Sequence, residues 1–452
     1  MPLCAGVAVL LAVERPTIGR GPSRVLDWSL LACLLVVAAQ LIPLSAAARG
    51  RLSPQATLID SAVSLDATPR ILPRGLSLDV ESTAWALALG AAYIGLFWCA
   101  RSIFARGGVR TVTRGITWLG LALTLLVAVQ RVTSPKLLYW YFRPLNAGAS
   151  PYGPFVSRNA LASWLAMAVP LIIGYAVARH RSDPRTGISI AARAEAMDST
   201  QLWLGGAACV MMGGLFASMS RAGIIGAAVG LVAFIALSRT RIKGGRGLAW
   251  ITVSVAALIV AASLFANFGA MAMRLHETTE SGEWGRRAIW RDTWRMTEDF
   301  WLTGVGAGAF QRGMLVYQEG SRQFFFNHAH DEYLQLAAEG GLLLVVPAAI
   351  ALIAGVALIV TRLAGDRTPI FWVRAGAVSG LIAVAVQSIW DTGLRTPANG
   401  VLFAAIAAIA LHQPRPAHEG SARRSHSRSR DPMQPRNHED HEESRVSTRS
   451  HS

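Results

Sequence analysis

The sequence predicts an all-α integral membrane protein of about ten transmembrane helices, or eleven if an N-terminal apolar segment also enters the bilayer. Three observations carry this. Hydrophobic residues make up 52% of the 452 and charged residues only 15%, with a mean hydropathy of +0.39, whereas a soluble chain carries nearer a quarter charged. The apolar residues come in blocks long enough to cross a hydrocarbon core of roughly 30 Å as helices. Basic residues fall in alternate connecting loops, as the positive-inside rule requires.

The first element, MPLCAGVAVLLAV, stops at Glu14 and Arg15. It has no basic leader and no clear cleavage site, which argues against a secretory signal. Half of a helix and an interfacial segment both fit it. Spans follow near residues 26–45, 83–100, 115–130, 159–178, 202–219, 222–238, 249–268, 341–361, 371–390 and 400–412, the last being short. The chain therefore divides into an N-terminal segment with a basic loop (1–25), a polytopic membrane domain (26–412) and a tail (413–452). Cys4, Cys33, Cys99 and Cys209 all lie in apolar runs with no CxxC pair, so they read as small buried hydrophobes.

A formal net charge of +16 suggests nucleic acid until its distribution is examined. Arginines gather at 15–24, 101–114, 179–193, 239–246 and 362–374, and in the tail. With all these segments on the cytoplasmic side, the ten spans alternate without conflict. The charge is a topology signal and no nucleic-acid partner is expected. The tail is rich in Arg, His, Ser and Glu and nearly free of apolar residues, which predicts a disordered cytoplasmic segment. Its scattered histidines read as solvated side chains, not metal ligands.

This topology puts the loops 46–82, 131–158 and 269–340 outside, together with the tight Ser220-Arg221 junction. In a Gram-negative cell that side of the inner membrane is the periplasm. The outer junctions hold arginines that topology does not need, Arg158 at a helix mouth and Arg221 between two apolar helices. Snorkelling to headgroups is one reading; a guanidinium placed to bind an anion, phosphate above all, is the other. In SGEWGRRAIWRDTWRMTEDFW, Trp290, Trp294 and Trp301 fall near one face, with Arg287, Arg291, Arg295 and Glu298 around the other. That pattern predicts an interfacial amphipathic helix. The glycines of LTGVGAGAF, at 304, 306 and 308, do not form GxGxxG and predict a turn.

The densest chemistry is FNHAHDEYLQLAAEGG, 326–341. His328, Glu332, Gln335 and Glu339 recur at helical spacing as a polar stripe, and His330 falls off it. Two histidines two residues apart are weak evidence for a metal site. Helix-capping structural histidines are one reading, and a histidine general base with a carboxylate fixing its tautomer is the other.

These residues resemble the O-antigen ligase and polymerase superfamily. HAHDEYLQLAAEGG is similar to its HxHNxYLxxxxExG signature, GPFVSRNALASW to its GPFVNRNHFA segment and SMSRAGI to its TxSRxG block. GRRAIWRDTWRMTEDFWLTGVGAGAF resembles RxxxW followed by GVGPGxF. The four blocks cover about 150–360, most of the membrane domain. Asp331 replaces the usual asparagine, Leu161 a histidine and Ser157 an asparagine. A negative Asp331 beside His330 is expected to raise its pKa.

The resemblance implies a GT-C-like, metal-independent, inverting transferase that needs no cofactor. Its donor would be a glycan on undecaprenyl pyrophosphate at the periplasmic face. The acceptor would be lipid A-core, a lipid-linked repeat or a protein hydroxyl, so ligase, polymerase and protein O-glycosylation all stay open. The histidine of the signature maps onto His330, with His328 and Glu339 in support. The pyrophosphate arginines map onto Arg221 and Arg286, or Arg287 if the register shifts by one, with Arg158 as a further donor-binding candidate. A lipid-linked glycan transporter is the reading from another class. It would call for inverted repeats and a midplane site, and no internal repeat is found.

Overall fold

The computed structural model describes residues 1–63, 74–144, 151–182, 199–242, 286–319 and 325–413, with isolated positions between 249 and 256. The expected span 249–268, most of the loop before residue 286 and the tail beyond 413 lie outside the described residues. Helix dominates what is described: α1 (Pro2–Glu14), α2 (Arg24–Ala39), α3 (Ala46–Leu52), α4 (Pro54–Val63), α5 (Val80–Arg106), α6 (Val109–Thr133) and α7 (Arg158–Ser182). Next come α8 (Ser199–Ala217) and α9 (Arg221–Arg239), α10 over 286–299, then α11 (Phe310–Tyr317), α12 (Glu332–Gly365), α13 (Ile370–Gln387) and α14 (Pro397–Leu411). No strand forms among the described residues, only isolated bridges. Eight helices there are long and apolar enough to cross a membrane, and α1 and α14 are shorter apolar helices. The protein is an all-α integral membrane protein, as composition required.

The core is built around α7 and α13. In α7, 83% of the spanning window is buried, and in α13 72%. Small residues let these helices touch backbone to backbone, the packing mode of helices that cannot rely on a hydrophobic driving force. A Cβ on Gly380 would lie 2.4 Å from the Met167 carbonyl, and one on Gly376 2.4 Å from that of Pro170. Gly226 and Gly230 of α9 meet the carbonyls of Ala383 and Ser379 in the same way. The second half of α12 is the opposite case, with Leu342, Leu343, Val346, Ile350 and Ile353 exposed.

The short α1 packs along α5, with Val7 and Leu11 against Gly95 and Glu14 paired with Arg106. At the same end, Asp27 is fully buried and receives hydrogen bonds from Arg101 at 2.6 Å and Trp98 at 3.1 Å. Basic residues at this end also close helices. Arg374 is 3% exposed and donates to the carbonyls of Ala410 at 3.0 Å and His412 at 2.9 Å, capping α14. Arg241 donates to Leu363 and Ala364 at the end of α12. Guanidinium groups on C-terminal carbonyls satisfy acceptors that a helix cannot satisfy itself.

The other end gathers the polar machinery. There α2 and α13 finish, while α5, α7, α9, α12 and α14 begin. Gln40, just past α2 and 2% exposed, ties the layer together through its amide. It donates to the carbonyls of Thr303 at 2.8 Å and Glu339 at 3.0 Å, and accepts from Ala307 N–H at 3.0 Å.

Helix α10 corrects one expectation. Its packing face is Ile289, Thr293 and Met296, continued by Phe300, all buried. Trp294 and Trp301 are 57% and 60% exposed, and Trp301 lies beyond the helix end. Trp294 donates to Glu298 Oε1 at 2.7 Å, so tryptophan and acid share a face. The aliphatic stripe at steps of four, three and four makes the more regular seam, and it took the protein-facing side.

Candidate functional site

The opening of α12 builds the site. Asp331 is the N-cap, and its Oδ1 accepts from the Tyr333 and Leu334 amides at 2.9 and 3.0 Å. This explains why aspartate serves where the family pattern has asparagine, since both are strong N-caps. It also corrects the expected effect on His330. Asp331 is occupied by the helix terminus, and the His330 pKa is lowered, first by burial, with Asp391 opposing and Arg286 reinforcing the shift. His330 itself sits before the helix with a left-handed φ of 56°, a conformation costly for a non-glycine and concentrated at functional sites.

From this cap the polar stripe faces Arg395, on the single 3-10 turn Gly393–Arg395 before α14. Arg395 donates to both Glu339 oxygens at 2.9 and 3.1 Å and approaches Glu332 at 3.2 Å. Gln335, between them on the stripe and fully buried, donates to Glu339 Oε1 at 2.9 Å and lies 3.3 Å from His328 Nδ1. The two carboxylates hold the Arg395 guanidinium firmly protonated, raising its pKa despite burial. Burial and Arg395 push His328 the other way, down to about 4, with Glu339 opposing.

A second group surrounds His330. Asp391 follows α13 and is 6% exposed. Its Oδ1 accepts from Asn159 Nδ2 at 3.2 Å, and its Oδ2 has no partner among the described residues. Burial raises its pKa, while the Asn159 hydrogen bond and the charges of His330 and Arg286 pull it back down. Asn159 is held by Gln387, which donates to its carbonyl at 3.2 Å. Asn399 fastens the neighbouring chain, donating to the carbonyls of Ala160 and Gly393 at 2.9 and 2.8 Å. The Nδ1 of His330 is buried and likewise without a partner among the described residues. A buried donor or acceptor left unpaired is costly, and an unengaged imidazole nitrogen near an unengaged carboxylate oxygen suits a group that exchanges a proton.

Two further elements frame this centre. The 304–308 turn has Gly304, Gly306 and Gly308 at positive φ, and it is a packing device, not a phosphate cradle. Val305 N–H and Gly306 N–H donate to the carbonyls of Ala338 and Glu339 at 2.9 and 3.0 Å. A cavity of 600 Å³ opens between α10 and the start of α12, lined by Trp290, Trp294, Tyr333 and Leu334 with Arg291 and Asp331. Trp290 anchors the histidine loop by donating to the Ala329 carbonyl at 2.9 Å.

The four sequence-selected arginines separate. Arg286, the first described residue of α10, acts electrostatically on both His330 and Asp391, whereas Arg287 beside it is exposed. Arg221 opens α9 at the polar end, where Gly223 meets Ala162 and Gly226 meets Gln387. Arg158 opens α7 next to Asn159. The expected His328, His330 and Glu339 share one site with Arg286.

Sequence reasoning missed Asp391, Arg395, Gln335 as a linker, and Asn159. A signal for Arg395 existed. It is an arginine between the spans 371–390 and 400–412, on the side where topology asks for none, the same argument that selected Arg158 and Arg221.

In this multi-pass helical membrane protein a histidine, a buried acid and arginines gather at one end, an arrangement suited to proton transfer beside an anionic group. The O-antigen ligase family model matches residues 206–349. That match covers less than half of the chain and supports its likeness to the O-antigen ligase superfamily, pointing to an O-antigen ligase- or polymerase-like membrane glycosyltransferase. No curated protein matches the sequence. The matched range takes in Arg221, Arg286, the glycine turn and the histidine loop. Asn159, Asp391 and Arg395 lie outside it and join the site only through the fold.

Proposed function

We propose that the protein transfers a glycan from undecaprenyl pyrophosphate to an acceptor hydroxyl at the periplasmic face of the inner membrane, in the manner of an O-antigen ligase. The observation that carries this is His330, a half-buried imidazole with a buried, unengaged Nδ1 beside a buried carboxylate and an arginine. Burial keeps it neutral, and a neutral imidazole accepts a proton. The acceptor oxygen attacks the anomeric carbon from the side opposite the pyrophosphate and gives its proton to His330. The carbon–oxygen bond to pyrophosphate breaks with inversion. Asp391 stabilises the imidazolium formed, a role consistent with its electrostatic coupling to His330. General-base assistance of this kind contributes roughly 10²–10⁴ in rate.

The leaving group is an anion, and Arg286 and Arg221 are assigned to its oxygens, with Arg158 nearer the donor's sugar or phosphate. Fixed guanidinium charges stabilise charge that develops on departure, which makes a metal ion unnecessary to this scheme. His328 and Glu339 support the base. The cytoplasmic position of the tail follows from the same arginine distribution that sets the site outside.

Reconstitution tests the reading. Purified protein in vesicles receives undecaprenyl-pyrophosphate glycan with lipid A-core, a second lipid-linked repeat or an acceptor polypeptide, and mass spectrometry identifies which gains sugar. Transfer to lipid A-core is expected, and loss of it in His330→Ala and in Arg221→Ala. Full transfer by His330→Ala would overturn the mechanism, and gain of sugar only by a lipid-linked repeat or a polypeptide would reassign the acceptor.

A further inference from the structure

Gln335 connects groups that the base alone does not need. Its Oε1 accepts the Ala329 backbone N–H at 3.0 Å. A backbone N–H only donates, so this contact fixes which end of the amide is oxygen. The Nε2 hydrogens are then committed, one to Glu339 Oε1 at 2.9 Å and the other toward His328 Nδ1 at 3.3 Å. Glu339 is 3% exposed and held as an acceptor by Arg395 at 2.9 and 3.1 Å. Arg395 is braced in turn by Glu332 at 3.2 Å. Arg395 and Gln335 therefore both donate to Glu339, and the remaining Gln335 hydrogen has only His328 Nδ1 to address. A ring nitrogen that receives a hydrogen bond carries no proton, so the proton of neutral His328 resides on Nε2.

We infer that Gln335 is a positioning residue that locks His328 as a neutral Nε2–H donor, so that the two histidines divide the work. His328 donates a hydrogen bond to a substrate oxygen, and His330, with its Nδ1 unengaged, accepts the proton. The substrate half of this assignment rests on the transfer reading above, while the tautomer does not. The charged and titratable groups acting on His328 are Arg395 from the turn before α14, Glu339 from α12 and His330 from its own loop. Arg395 and His330 oppose a charged imidazole and Glu339 favours it, and burial settles the balance toward neutrality.

Nitrogen-15 spectra of the full chain in lipid bilayers, labelled at histidine, read the tautomer directly. The His328 signals are identified as those lost in His328→Gln. At pH 7 the wild type is expected to show an unprotonated Nδ1 and a protonated Nε2, unchanged down to about pH 5. An Nδ1–H or imidazolium signature at pH 7 overturns the lock. Gln335→Glu replaces the donor with an acceptor, so His328 should gain an Nδ1 proton and charge in the neutral range. A His328 signature unchanged in both Gln335→Glu and Gln335→Met removes Gln335 from the role. Should the wild type show the locked tautomer but transfer glycan to no acceptor, the lock stands and the transferase reading falls.

Discussion

The kink at Gly341 offers the sharpest test of how the site half of α12 is held. Gly341 lies at φ 56° and ψ −166° inside an otherwise continuous helix, a region open essentially to glycine alone. For alanine that backbone costs about 1–3 kcal/mol. Space adds a second term. A Cβ would lie 2.5 Å from both the carbon and the oxygen of the Leu302 carbonyl and 2.6 Å from the Gly304 nitrogen, backbone atoms that no rotamer change can move aside. Relief needs a separation of roughly 0.9 Å, enough to forfeit much of the contact energy. That separation strains the hydrogen bonds from Leu342 N–H to Trp301 and Leu343 N–H to Leu302, at 2.7 and 3.1 Å, each worth about 1 kcal/mol.

Gly341→Ala is therefore expected to cost about 3–5 kcal/mol. Gly355, on the same helix with open space around it, supplies the control, and Gly355→Ala should be neutral or slightly stabilising. Detergent-solubilised protein is heated in steps and the surviving monodisperse fraction followed by fluorescence-detected size exclusion. The midpoint should drop by several degrees for Gly341→Ala alone. Equal midpoints for the two variants would refute the reasoning.

Three more outcomes follow from the same contacts. Arg395→Met leaves Glu339 buried without its cation, which should destabilise by about 3–5 kcal/mol, and adding Glu339→Gln should recover part of the loss in the same heating assay. Because the folded state holds His328 near 4 instead of the usual 6.5, it refuses a proton that the unfolded chain accepts. That contribution is complete above pH 6.5 and fades as pH falls toward 4, by about 3 kcal/mol at most; midpoints measured across this window should show it in the wild type and lack it in His328→Gln. Asp331→Asn should keep both midpoint and transfer rate, since asparagine caps equally well, while Asp331→Ala should cost about 1 kcal/mol. A midpoint or rate sharply lowered in Asp331→Asn would show that the charge, not the cap, is what matters there.

The amino-acid sequence by itself determined the membrane-spanning helical class, because span length and loop charge are local properties. The order of the blocks and the histidine loop were legible for the same reason, lying close together in the chain. Helix α10 was legible as amphipathic, but its packing side was not, because an aliphatic and an aromatic stripe competed and only the partner surface chose between them. The tertiary structure alone decided what the histidines face. Arg395 reaches Glu339 across 56 residues and Asn159 reaches Asp391 across 232. No periodicity registers such pairs, since the small-residue seams of α7, α9 and α13 set how closely the helix ends converge. That convergence gave Asp331 a structural task, Gln335 a direction and His330 its neighbouring acid.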